Sequence, residues 1–529
     1  MNVLARGLLC CGVALAFACG GDDGGKDDAG RDAVGEAGPD DGADLGEEVA
    51  DDTARDPGGD PASDPSGEAT ADPGEDPGMD PGDDAGVDVP SDAVQDPGAD
   101  PAPDPAQDPG QDLAADSGND VAYPPGTPIL DRAVDLRFDC SVSRTSQSLQ
   151  PRTWTVGAHP LVTTSGGDVF LARVESAPAQ PFDPADPQFL VSTFDANLAF
   201  GSPVEVPSSP ESVYGVAAAP LGDGFLLAWS EGTLKTSVRD STGAAVGGAK
   251  TLAGLSGDYQ SRLSMAPLGQ GFGLAYDAPE GYRRKVVFAR LDGTGAVVGK
   301  TLELAVPAQD YDEPAPQVAS DGSRHAILWQ EAAADRGHVY FAAVDADGTV
   351  AVPRRRVSKV DEANVYCGRA AFSRTRNAIL PAGDGWLAAW TEVRRGESWD
   401  SPASGVVKIA RLSADGESLE EAPVRAARDN VDEVEPVLLP FQGAAALLWS
   451  SGTHISICAG CHPDNSLFLV LLDPATLVPV GDLLTLPPTT TGLLDASLAA
   501  KGDDLLAAFQ LFFHVSHEAG AGVLHCPAR

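Results

Sequence analysis

Positive charge is scarce in this chain. Its 529 residues include 35 Lys and Arg against 79 Asp and Glu, a formal net charge of −44. Nucleic acid and anionic membrane surfaces would both repel such a protein, so neither is an expected partner. Aromatic residues make up only 6%, beside 59 Gly and 43 Pro, a composition that describes a tethered domain better than one compact enzyme. Long apolar runs are short of membrane length too. The run from Leu8 to Ala18 has eleven residues, too few to cross a ~30 Å hydrocarbon core as a stable helix. The sequence holds no nucleophile elbow, no phosphate loop, no Ser/His/Asp constellation and no carboxylate pair that spacing singles out. No reaction class is therefore indicated, and catalysis is the less expected role.

What is present is unevenly spread. The opening MNVLARGLLCCGVALAFAC carries one early cation, Arg6, before the apolar run, which ends Ala16-Phe17-Ala18-Cys19 and gives way to Gly20, Gly21 and aspartates. This arrangement resembles a bacterial lipoprotein signal with its lipobox. Ala18 before Cys19 fits, while Ala16 stands where that family more often has Leu. The resemblance implies a signal peptide over 1–18, cleavage before Cys19, diacylglycerol on the Cys19 sulfur, and loss of Cys10 and Cys11 with the signal. Acyl chains at ~0.8 kcal/mol per buried CH₂ would then hold the protein on a lipid bilayer. Gly20 replaces the Asp that marks inner-membrane retention in enterobacterial lipoproteins. An extracytoplasmic site, at the outer membrane or cell surface, is thus the expected location.

Residues 19–125 read as a disordered tether. Between 20 and 122 the chain is nearly all Asp, Gly, Pro and Ala, with 32 acidic residues against Lys26, Arg31 and Arg55, a net charge of −29. No aromatic residue occurs between Phe17 and Tyr123. Such a segment cannot bury enough apolar surface to offset the entropy of ordering it. Asp-Pro and Pro-Gly pairs favour extended and turn conformations, and a relaxed coil of this length spans roughly 50–60 Å. No stretch has the spaced ligands and closing Glu of a calcium loop.

Beyond it the chain repeats. Continuous apolar runs end in an aromatic: Phe225-Leu226-Leu227-Ala228-Trp229, Phe272-Gly273-Leu274-Ala275-Tyr276, Ala326-Ile327-Leu328-Trp329, Trp386-Leu387-Ala388-Ala389-Trp390, Ala445-Ala446-Leu447-Leu448-Trp449 and Leu505-Leu506-Ala507-Ala508-Phe509. Val169-Phe170-Leu171-Ala172 opens the series. Successive aromatics stand 47 to 61 residues apart, too far for a helical solenoid and right for a four-stranded unit. Turn residues such as Gly222-Asp223-Gly224 precede most runs, as tight hairpins require. Third strands are predicted at 286–291, 339–344, 406–412 and 467–472. Unbroken apolar runs suit strands covered on both faces.

These residues resemble a β-propeller over 126–529, all-β and seven-bladed. The last unit stops after its third strand, and a segment near 146–150 or 152–156 has no partner of its own. Propellers often complete the last blade with the N-terminal strand, and that closure is expected here. No propeller subfamily is matched: there is no WD signature, no kelch double glycine and no sialidase Asp-box.

Five cysteines follow Cys19, and a translocated protein can form disulfides. Cys140 precedes the expected closing strand and Cys526 ends its partner, so a bridge between them would pin the ring. Cys458 and Cys461 read first as a local disulfide, which leaves Cys367 without an assigned partner. The string Cys458-Ala459-Gly460-Cys461-His462 also resembles the attachment site of c-type haem. Together with His454, His514 and His517 it is the alternative site, for haem c or a transition metal. No cofactor is the first expectation. On the same rim, Tyr282-Arg283-Arg284 and Arg394, Arg395 and Trp399 set cations beside aromatics, a combination that grips acidic ligands or glycans. The expected role is non-catalytic: a monomeric scaffold or binding module for protein or glycan. A redox protein is the alternative, and a polysaccharide hydrolase the third reading.

Overall fold

The computed structural model describes residues 123–146, 161–180, 183–195, 197–208, 213, 215–258, 261–306, 314–332, 337–359, 365–367, 377–394, 404–425, 431–453, 466–486, 492–513 and 516–529. All belong to one compact unit, Gln111–Arg529. Cys19 and most of the tether lie outside the described residues.

The seven apolar runs become the second strands of seven antiparallel blades: Asp168–Gln180, Gly224–Ser230, Gly271–Glu280, Arg324–Ala332, Gly385–Arg394, Ala444–Thr453 and Asp504–Phe513. Two-residue hairpins lead into them, as at Leu221↔Gly224 and Ala382↔Gly385. Their first turn residue is a glycine with positive φ, 58° at Gly222 and 59° at Gly383, the conformation that a tight hairpin imposes there and that a Cβ resists. The first strands touch one another in cyclic order, with Gly492–Lys501 of blade 7 against Leu161–Ser165 of blade 1. They form the inner wall of a seven-bladed propeller. Pro220, Pro267, Pro381 and Pro440 sit in four of these innermost strands. Proline fits there because one edge of each strand faces the central channel and needs no ladder donor.

Burial explains why the runs do not alternate. Among the described residues seven apolar clusters form, one between each pair of neighbouring blades. The last joins Val169 and Leu171 of blade 1 to Leu506, Ala508 and Val523 of blade 7. A second strand therefore buries both its faces, and Gly224–Ser230 is buried throughout.

Two blades share a polar device that the repeat pattern conceals, and a third carries the same residues. Trp229 Nε1 donates to Glu231 (3.0 Å), and Trp329 Nε1 donates to Glu331 (2.7 Å). Each carboxylate then takes a cation from a neighbouring strand, Lys235 on Glu231 and Arg354 on Glu331. Two residues apart on a strand is one face, so in these two blades the Glu satisfies an indole N–H that burial would leave costly. Blade 5 repeats the residues as Trp390, Glu392 and Lys408, with the ion pair at 3.7 Å, but its buried Trp390 Nε1 makes no hydrogen bond. Arg354 also stacks on Tyr340 at 4.1 Å. Arg354 thus lies along the outer strand Val350–Arg356, half-exposed, with its charge paired and its guanidinium over the ring.

The N-terminal part of the unit is strapped across the outside of blades 5 to 7. Ile129 is fully buried in the cluster between blades 5 and 6. Leu130 N–H donates to Val424 O, Asp135 and Phe138 N–H to Pro479 O and Val480 O, and Asp139 N–H to Pro527 O. Arg132 is buried and pairs with Glu420 at 2.8 Å. Strand Ser141–Ser146 then pairs antiparallel with Ser516–His525 as the fourth strand of blade 7. It lies upstream of the 146–150 and 152–156 segments expected from the sequence. Cys140 and Cys526 are disulfide-bonded beside it. Cys367 falls in a short strand, Val365–Cys367, that pairs with both blade 4 and blade 5 and joins them into one nine-stranded sheet.

One core position departs from the repeat. Where the other blades place Val169, Phe225, Phe272, Trp386, Ala445 and Leu505 next to the hairpin, blade 4 places His325. The imidazole is 2% exposed, and burial pushes its pKa down to about 4. It folds neutral but titrates near 6.5 when unfolded, so its stabilising contribution is complete above pH 6.5 and is lost as pH falls towards 4. The shift corresponds to about 3 kcal/mol. Unfolding midpoints of wild type and His325→Phe, compared from pH 7 to pH 4, should converge or cross in the variant's favour on acidification. Parallel curves would remove His325 from the account.

Candidate ligand-binding face

The registers sort the connections onto two ends of the disc. At one end lie the first hairpins and the turns after the third strands. These are short and alike: Asp240 Oδ1 accepts from Thr242 and Ala244 N–H at 2.8 and 3.0 Å, and Asp292 Oδ1 accepts from Thr294 and Ala296 N–H at the same distances. At the other end lie the hairpins between second and third strands together with the connections between blades. There the closing pairs are Glu280↔Arg283, Ala332↔Gly337, Arg394↔Ser404, Ser451↔Ser466 and Phe513↔Ser516. The loops they enclose run from two residues to fourteen. Uniform turns at one end and variable loops at the other are the usual division between scaffold and recognition surface.

The polar structure described at the loop end centres on blade 3. In blades 2 to 6 the residue after the second-strand aromatic is polar and buried: Ser230, Asp277, Gln330, Thr391 and Ser450. Three of these anchor the entry of their own blade through the backbone, with N–H donating to Gly215 O, Arg262 O and Pro314 O. Asp277 adds a charge that the others lack. Its carboxylate accepts from Arg262 N–H at 2.5 Å and lies 3.3 Å from Arg284 Nε. Arg284 in turn grips both Asp258 oxygens (2.8 and 3.0 Å) and donates to Ser261 Oγ (2.9 Å) and Asp277 O (3.1 Å). Burial pushes the Asp277 carboxyl above the usual range, against the pull of Arg284. The network ties the connection at 258–262 to the hairpin at 281–282. Gly281, at φ 65°, makes the turn, and Tyr282 projects from it 71% exposed, with Arg283 exposed beside it.

This corrects one candidate. Arg284 is 3% exposed, so it holds the rim together and does not present a cation to a ligand. Strand period does not make the difference, because Val287 and Ala289 on the Arg283 face are buried like Val286 and Phe288 on the Arg284 face; the carboxylates of Asp258 and Asp277 draw Arg284 in. Tyr282 and Arg283 keep their places at the loop end. Arg394 ends its strand at the same end, and Arg395 and Trp399 lie outside the described residues. So do His454, Cys458, Cys461, His462 and His514. His517 was expected in a loop; it is a strand residue paired with Phe512, because the blade 7 hairpin encloses only 514–515.

No family model matches the chain, and no curated protein matches it. Among solved structures it is similar to the polysaccharide lyase Uly1, at 9% identity over 73% of this chain and 99% of that one, with TM-score 0.42. Drosophila Plexin A in complex with Semaphorin 1b is 9% identical over 74% of this chain and 87% of that one, with TM-score 0.37. Trypanosoma rangeli sialidase in complex with sialic acid is 10% identical over 74% of this chain and 60% of that one, with TM-score 0.34. No residue role is carried over from them.

Proposed function

We propose that this protein is a non-catalytic binding module, a rigid disc that offers the loop end of its ring to a glycan or protein ligand. The observation that carries the reading is the exposed Tyr282-Arg283 tip, held in place by a buried ion network. An aromatic face with an adjacent guanidinium suits a sugar ring that bears an acidic group. Fixing the hairpin beforehand lowers the ordering cost of binding. In the same reading residues 1–18 are a lipoprotein signal, Cys19 carries the lipid, and the acidic segment up to about 125 spaces the disc from an extracytoplasmic membrane.

The full-length protein expressed in a Gram-negative host tests both halves. Cys19→Ser should move it from the membrane to the soluble fraction, and continued membrane association would end the anchor reading. Wild type should retain acidic glycans on an array without releasing products, with Tyr282→Ala/Arg283→Ala losing roughly 1–3 kcal/mol of affinity. Turnover of a retained glycan would replace the binding reading with a hydrolase or lyase.

A further inference from the structure

The turn end of the disc carries a feature that its uniform hairpins do not require. A cavity of about 250 Å³ opens between blades 3 and 4, walled by Leu268, Phe272, Leu291 and Val298 and lined by Arg290 and His325. Its size is below the ~300–1,000 Å³ of drug-sized sites and suits one small molecule.

Two paired departures from the repeat build it. His325 replaces an apolar residue, as described above. On the neighbouring blade Gly273 stands where the others have Phe170, Leu226, Ala326, Leu387, Ala446 and Leu506. A Cβ on Gly273 would come within 2.7 Å of the imidazole and 2.6 Å of Phe288. The missing side chain therefore makes room for the ring. His325 Nε2 lies 3.2 Å from Ala266 O. A carbonyl only accepts, so Nε2 carries the proton and Nδ1 is left with its lone pair. Nδ1 is buried and without a partner, an arrangement that an apolar residue would avoid at that position.

Arg290 supplies the charge. Its Nη1 donates to Ala346 O across the blade boundary at 2.7 Å, while its buried Nε has no hydrogen-bond partner. Gly348, at φ +94°, leaves space beside that Nε, since a Cβ there would sit 2.8 Å from it. Asp292 lines the same cavity, but its Oδ1 is taken up by its own turn. Its remaining charge opposes a dianion, which disfavours phosphate.

We propose that this cavity binds a small hydroxy-monocarboxylate, its carboxylate on the Arg290 guanidinium and its hydroxyl donating to His325 Nδ1, against an apolar wall. The same chemistry occurs in a free α-hydroxy acid and in a uronic acid. The site lies at the opposite end of the disc from Tyr282 and does not depend on the loop-end reading.

Isothermal titration of the folded protein with D-glucuronate, L-lactate, D-glucose and acetate tests it. Saturable binding of glucuronate or lactate, at least tenfold tighter than glucose (no carboxylate) or acetate (no hydroxyl), supports the site, and which of the two saturates identifies the source. Arg290→Val and His325→Phe, residues borrowed from blades 2 and 3, should each weaken that binding tenfold or more. Tyr282→Ala should leave it unchanged. Arg290→Lys, which keeps the charge and loses the fork, should weaken it less than Arg290→Val and covers failure of the latter to fold. No saturable binding of either acid, or binding that survives both cavity substitutions, overturns the proposal.

Discussion

Cys526→Ser is expected to lower the unfolding midpoint by roughly 7 °C, among the largest shifts open to a single side chain in this protein. The bridge to Cys140 closes a loop with a sequence separation of 386. In the chain-entropy account a loop of that order restricts the unfolded ensemble by roughly 6 kcal/mol. At ~2.1 cal/mol/K of unfolding entropy per residue, over a domain of about four hundred residues, this converts to the stated shift. Cys140→Ser should match it, and the double variant should add little, because one covalent link is lost in all three. Independent, additive losses would mean that the two thiols act through packing in the cluster between blades 6 and 7, where both are buried. An unchanged midpoint would refute the bridge.

Arg284→Ala should cost about 3–5 kcal/mol, since it strands a buried carboxylate. Asp277 is 0% exposed, and Arg284 is the cation at its side chain. Two further measurements separate this from simple loss of packing. In the Arg284→Ala background, Asp277→Ser, the residue that blade 2 uses, should recover most of the stability, because the charge that needed a partner is gone. The pH response set by Asp277 should also steepen. Burial already raises its carboxyl against the pull of Arg284, and with that partner removed the protonated form is favoured more strongly still. The variant should therefore gain stability relative to wild type as pH falls from 7 towards the carboxylate range. A constant deficit at every pH would assign the cost to the lost side-chain volume.

How much of this was legible beforehand depends on period and parity. The seven second strands show in the sequence because a strand covered by neighbours on both faces must be apolar without interruption, and an aromatic ends nearly every run. The closing strand was placed several residues too late. Ser141–Ser146 is polar and largely exposed, and such a strand carries no burial pattern to mark it. The strap at 127–140 reads as a loop because its buried side chains, Ile129, Arg132, Phe138 and Cys140, fall at no regular period and the rest of its hold is backbone hydrogen bonds. The Trp-x-Glu pairs could have been found, since two residues apart is one face of a strand. Arg284 could not be told from Arg283 by parity, because both faces of their strand are buried at Val286 and Val287. The cavity between blades 3 and 4 is legible only once the blades are aligned, when Gly273 and His325 stand out as the exceptions in their columns.

The strap and the disulfide also fix an order of events. Blade 7 is built from Gly492–Lys501, Asp504–Phe513 and Ser516–His525 together with Ser141–Ser146, and Arg529 N–H donates to Arg137 O. A ribosome makes the fourth strand of that blade first and the strand it pairs with last. Until some four hundred residues have been made, Ser141–Ser146 has no ladder partner and Cys140 no thiol to join. Pairings this distant in sequence fold slowly, and the six earlier blades meanwhile wait as an open arc with apolar faces at both ends. The time at greatest risk of aggregation is thus the interval between completing blade 6 and docking the first strand, and oxidation of Cys140 and Cys526 marks its end.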